Sequence, residues 1–185
     1  PADGPLRLLL SELVAILQAS TVFKAVDLGN NMLNPSLTIQ LINALSRCPL
    51  ETLLLQGNRL GGGAYKVLDP ASAFNKLRVL DLADNKIDDE AAQLISASAV
   101  HFGSLSLEVL DLSHNQISEL APSVFDTAEN LRFLDVSHNN ISVIEGRFPR
   151  RMRTVALRGN QIAKLSSGVF SSGHLRNLFI DDNGM

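Results

Sequence analysis

One spacing of apolar residues recurs along this chain. From Phe23 onward an aliphatic, Phe or Met side chain holds positions one, four, six and eleven of an eleven-residue unit, and asparagine always holds position nine. The copies read FKAVDLGNNML from Phe23, LETLLLQGNRL from Leu50, LRVLDLADNKI from Leu77 and LEVLDLSHNQI from Leu107. They continue as LRFLDVSHNNI from Leu131, MRTVALRGNQI from Met152 and LRNLFIDDNGM from Leu175. Seven copies of one pattern exclude a single irregular domain and predict a stack of like units.

Each copy predicts a short strand around its fourth and sixth positions. Side chains alternate along a strand, so these two face one way and the fifth faces the other. Parallel strands from successive copies stack about 4.8 Å apart. Leu80, Leu82, Leu110 and Leu112 then belong to continuous inner columns. Asn31, Asn58, Asn85, Asn115, Asn139, Asn160 and Asn183 form a polar column inside the turn, where an amide that both donates and accepts can satisfy buried backbone groups. The second, third, fifth, seventh and eighth positions are expected to be exposed on the strand side.

Successive asparagines lie 27, 27, 30, 24, 21 and 23 residues apart. The three longer spacings leave room for helices on the return path, and the later ones for turns or a short 3₁₀ segment. Asn34-Pro35 predicts one helix start, with Leu37, Leu41, Ile42 and Leu45 on one face. Asp88 predicts another, with Ala91, Leu94 and Ile95 facing in. Residues 1–22 carry an N-terminal helix over Pro5 to Ser20, with Leu6, Leu9, Leu10, Leu13, Val14 and Leu17 on its apolar face. It serves as a cap or as the return helix of a preceding copy. The chain stops at Met185, the eleventh position of copy seven, so this last copy is expected to be truncated and the chain a piece of a longer protein.

The copies resemble the leucine-rich-repeat family. The early ones are similar to its ribonuclease-inhibitor class. The later ones, with Val124-Phe125 and Val169-Phe170 in the return path, resemble the class common in extracellular repeat receptors. The resemblance covers nearly everything from Phe23 onward. It implies an α/β solenoid with a curved parallel sheet on the concave side and helices and turns on the convex side. It also implies a protein-interaction module binding a macromolecular partner on the concave face. Two alternatives follow from the same resemblance: a ligand-binding ectodomain fragment of an immune-type repeat receptor, or a GTPase-activating protein of the Ran type. No residue here matches a functional residue of the latter.

Reading exposed positions down the stack gives the candidate binding residues. The fifth column holds Asp27, Leu54, Asp81, Asp111, Asp135, Ala156 and Phe179. Its three consecutive aspartates are either solvated or paired with Arg78 and Arg132 of the second column, or they form an acidic stripe that receives basic residues. The eighth column holds Asn30, Gly57, Asp84, His114, His138, Gly159 and Asp182. Asp84, His114 and His138 suit a transition metal by type, but a linear column does not converge on a tetrahedron. Arg147, Arg150, Arg151, Arg153 and Arg158 form a run without acids. Phe133 and Phe179 are exposed by alternation and are candidate anchors. The partner-binding set is therefore Asp81, Asp111, Phe133, Asp135, Arg153 and Arg158.

Catalytic motifs, a phosphate-cradling GxxxxGK loop and a metal-binding HExxH are not found, so no enzyme activity, cofactor or metal is expected. Gly61-Gly62-Gly63 reads as a turn. Composition narrows little else. The net charge of −3 gives no general attraction to nucleic acid or an anionic membrane. The arginine run lacks the interleaved aromatics of a nucleic-acid groove. Cys48 is the one cysteine and is expected to be a buried structural thiol. It leans toward a reducing, cytoplasmic compartment. Asn140-Ile141-Ser142 is the one glycosylation sequon, since Asn34 precedes proline.

Overall fold

Each copy contributes three residues to one seven-stranded parallel sheet. The strands are β1 (Ala25–Asp27), β2 (Thr52–Leu54), β3 (Val79–Asp81), β4 (Val109–Asp111), β6 (Phe133–Asp135), β8 (Thr154–Ala156) and β10 (Asn177–Phe179), in that order. The computed structural model describes residues 4–63, 76–98, 106–120, 128–171 and 173–184. Pairing is in register, so Leu53, Leu80, Leu110, Leu134 and Val155 align as the fourth-position column. These five, and the sixth-position Leu55, Leu82, Leu112, Val136 and Leu157, are buried in one continuous core. Burial of a side chain of this size contributes about 1.5–3 kcal/mol, which is why the period dictates the stack.

The asparagine column ties each copy to the one before. Asn58 Nδ2 donates to Leu28 O at 2.9 Å and Leu55 O at 2.8 Å, and its Oδ1 accepts from Leu33 N at 2.9 Å. Asn115, Asn139, Asn160 and Asn183 repeat this arrangement. Asn85 keeps the donors but its Oδ1 is buried without a partner. There the chain after Leu60 enters the 3₁₀ turn Gly61–Gly63, and Gly61 N donates to the Asn85 main-chain carbonyl instead. Five asparagines, Asn58 to Asn160, are buried, whereas Asn31 and Asn183 in the end layers are more open.

The return paths diverge as their lengths predict. Helix α2 (Pro35–Ala44) starts where Asn34 Oδ1 accepts from Leu37 N at 3.0 Å, with proline in its first turn. It buries Leu41 and Ile42 and leaves Gln40 and Asn43 outside. Helix α3 (Asp89–Ser98) follows Asp88, whose Oδ1 accepts from Ala91 N at 2.9 Å. Ala91 is buried, and the side chains of Leu94 and Ile95 lie outside the described residues. So does the return path of copy two from residue 64 to 75. Helix α1 (Gly4–Gln18) packs against α2, burying Leu17 and half-burying Leu13 and Val14. The side chains of Leu6, Leu9 and Leu10 are outside the described set. Cys48 is buried, with Sγ donating to Ser20 O at 3.4 Å.

Copies four to six add short strands to the turns or 3₁₀ segments expected there. Two-residue strands β5 (Glu119–Leu120), β7 (Val143–Ile144) and β9 (Lys164–Leu165) pair in parallel as a second, narrow sheet. Short returns keep equivalent backbone segments of neighbouring copies within pairing distance, and Leu120 and Ile144 plug the core beneath them. The Val169-Phe170 pair does sit in a turn, with Val169 buried and the Phe170 ring stacked on Phe148 at 5.9 Å. Val124-Phe125 lies outside the described residues.

Candidate binding face

The chain leaves every strand through a tight turn, and that turn governs the fifth and eighth positions. All seven eighth-position residues adopt φ between 51° and 64°. Glycine reaches this left-handed region freely, and Asn, Asp and His are the side chains that tolerate it best. Their recurrence in the eighth column is therefore a backbone requirement. The fifth-position aspartates brace the same turn. Asp27, Asp81, Asp111 and Asp135 each accept, through Oδ1, the N–H two residues on, at 2.8–2.9 Å.

Arg78 and Arg132 do not pair with these aspartates. Both reach Glu108 between them in the second column, Arg78 at 2.9 Å and Arg132 at 3.1 Å. The second-position residues are joined directly, because Glu108, Arg132, Arg153 and Arg176 each donate their N–H to the carbonyl of the preceding second-position residue. Their side chains thus meet along one edge, away from the fifth column. Among the described residues no cation comes within ion-pair distance of Asp81, Asp111 or Asp135. Burial, then the neighbouring charges of Asp111, Asp27 and Asp135, push the Asp81 carboxyl above its ordinary value, against the N–H of Ala83.

The predicted binding residues fall into two groups. Asp135, Phe133 and Arg158 converge on one concavity of roughly 270 Å³, which Ala156, Ser137 and Phe179 also line. Asp81 and Asp111 continue the acidic column away from it, since Asp81 aligns with Asp111 and Asp111 with Asp135. Arg153 stands exposed on the second-position edge, outside the concavity. Phe133 is half-buried and Phe179 37% exposed. The seventh-position Ser113 and Ser137, expected to be exposed, are only 8% and 5% exposed, and their carbonyls accept the N–H groups of Asp84 and His114 in the turn of the preceding copy.

Three relationships had no reading in the sequence. Arg158 Nε donates to Asp181 at 2.7 Å, and its guanidinium lies 4.5 Å from the Phe179 ring centre. The rings of His114 and His138 stack at 4.3 Å. The Ser137 hydroxyl is buried with no partner. Eighth-position periodicity was the available signal for the histidine stack. Among the described residues no three His, Cys, Asp or Glu side chains group as metal ligands, and no helix is long and apolar enough to cross a membrane.

Comparison with known proteins agrees with this geometry. A Leucine rich repeat model matches residues 93–141, and a second Leucine Rich repeat model matches residues 75–96. No curated protein matches the chain. Among solved structures, an internalin from Listeria monocytogenes shares 20% identity at a TM-score of 0.56, over 95% of this chain and 56% of that one. A repeat protein from Leptospira interrogans shares 20% identity at a TM-score of 0.55, over 87% and 49%. TLR13, solved in complex with a single-stranded RNA, shares 22% at a TM-score of 0.51, over 94% and 30%. The chain thus spans about half the length, or less, of these neighbours, and the likeness is one of fold.

Proposed function

We propose, from the premise that this chain is a leucine-rich-repeat protein, that it binds a protein partner on its strand side across copies three to six. Stacked repeats offer a wide rigid surface, which is how such folds commonly work. The observation that carries the reading is the unbalanced charge of that surface. Among the described residues Asp81, Asp111 and Asp135 meet no cation, while Arg153 stands exposed at the start of copy six. A surface polarised in this way fixes the orientation of a partner of opposite polarity. Phe133 supplies apolar area between the two regions.

The test uses a partner purified with the full-length protein. Asp111→Arg and Arg153→Glu, each shown to fold, should weaken its binding, while changes at Gln40 and Asn43 on α2 should not. The opposite pattern would move the binding face to the convex side.

A second reading has one observation in its favour. Asn140 and Ser142 of the sequon are exposed while Ile141 between them is buried, so the acceptor amide is accessible to glycan transfer. Glycan on Asn140 of the protein isolated from its own cells would support an ectodomain fragment of a repeat receptor; an unmodified Asn140 would favour the cytoplasmic reading.

A further inference from the structure

The fifth column changes character at copy six. Ala156 stands in register between Asp135 on one strand and Phe179 on the next. A methyl group between a carboxylate and a ring leaves the concavity described above. Its volume, roughly 270 Å³, is below the ~300–1,000 Å³ of sites that enclose a drug-sized molecule, so it suits a single side chain.

Its lining has two characters. Phe133 and Phe179 provide apolar walls, and the stacked rings of His114 and His138 line the space beside them. Asp135 spends one oxygen on the Ser137 N–H and meets no cation among the described residues. Arg158 borders the space, but Asp181 already neutralises it and Phe179 holds its guanidinium. Ser137 also borders the space, but its hydroxyl is buried beneath the surface and does not face into it. A carboxylate without a cation beside aromatic walls lacks one thing, a cationic donor on an apolar stem.

We propose that this notch seats an arginine side chain of the protein partner. The proposal rests on the strand-side binding reading above. The guanidinium is planar, weakly hydrated and stacks on aromatic faces, as Arg158 already does on Phe179. Its N–H groups can donate to the Asp135 oxygen that the Ser137 N–H leaves free. The adjoining Asp111 and Asp81 add attraction along the column and repel an anionic polymer.

The experiment follows backbone amide shifts of the isotope-labelled chain at low salt. The probes are N-acetyl-arginine methylamide, its neutral isostere N-acetyl-citrulline methylamide, and a short single-stranded RNA. Arginine should shift the amides of Ser137, Ala156 and their neighbours, and citrulline should bind at least tenfold more weakly. Asp135→Asn should remove the difference between the two. Ala156→Leu, at the register position that Leu54 holds in copy two, should abolish binding by filling the notch in a variant whose melt matches the parent. Equal shifts from citrulline, RNA shifting the same amides, or arginine shifting only amides elsewhere would overturn the assignment. If arginine misses the notch while Asp111→Arg and Arg153→Glu still weaken a partner, the notch assignment fails and the interaction module stands. If arginine binds the notch and those exchanges leave the partner unaffected, the notch stands and the module reading fails.

Discussion

The side-chain amide of Asn115 donates to the main-chain carbonyl of Leu82, one copy earlier, at 3.1 Å. Its oxygen accepts the N–H groups of Asn85 and Ile87 from that same copy. One side chain thereby satisfies backbone groups on both sides of a copy boundary. Asn115→Leu leaves several of them buried and unpaired and should cost about 1–3 kcal/mol or more. Asn31→Leu, in an open end layer, should cost less. Urea unfolding of the two variants measures the contrast, and equal losses would mean that the column is not an inter-copy staple.

The eighth position makes a backbone prediction. His138 has φ 56°, the conformation that Gly57 and Gly159 adopt at the equivalent places. His138→Gly should therefore change stability little, whereas His138→Val should lose about 1–3 kcal/mol through strain at a β-branched residue. Thermal melts of both variants decide it. A valine variant as stable as the glycine variant would show that the turn is not constrained.

Asp81 makes a prediction about pH. Its carboxyl is held above the ordinary value of 3.8, so the folded chain binds that proton more tightly than the unfolded one. Its contribution is most favourable below 3.8 and is lost as pH rises through the raised value. Asp81→Asn keeps an oxygen for the Ala83 N–H and removes the charge. It should raise the melting temperature at pH 7, and the advantage should fade on acidification. A lower melting temperature at pH 7 would show that the carboxylate is paired in solution.

Asp89 behaves in the opposite sense. Burial alone would raise its carboxyl, but the Ser118 hydroxyl and the N–H groups of Glu119 and Ser118 outweigh it and hold the carboxyl below its ordinary value. The group joins α3 to β5, with Ser118 Oγ 2.6 Å from Oδ2. Its stabilisation is present above 3.8 and is lost as pH falls through the lowered value. Asp89→Ala should cost about 1 kcal/mol at pH 7, reduced by its partial exposure, and nothing at strongly acid pH. A penalty independent of pH would assign the loss to packing.

What the sequence determined by itself was the periodic part. Apolar side chains at positions one, four, six and eleven, with asparagine at nine, define the sheet, its inner columns and the staple. Those features arise from local alternation and from repetition. The helix starts at Asn34 and Asp88 are equally local, since a cap contacts its own first turn. The tertiary structure decided the pairings that cross copies. Glu108 takes Arg78 and Arg132 away from the aspartates because second-position residues are neighbours across strands, 30 and 24 positions apart in the chain. The second sheet of β5, β7 and β9 depends on return paths short enough to pair, which no single copy encodes. The notch at Ala156 exists only because a small side chain falls between two larger ones on adjacent strands, a fact of register. A charge, a ring or a methyl group acquires its role here from the copies on either side, and those become neighbours only once the chain is stacked.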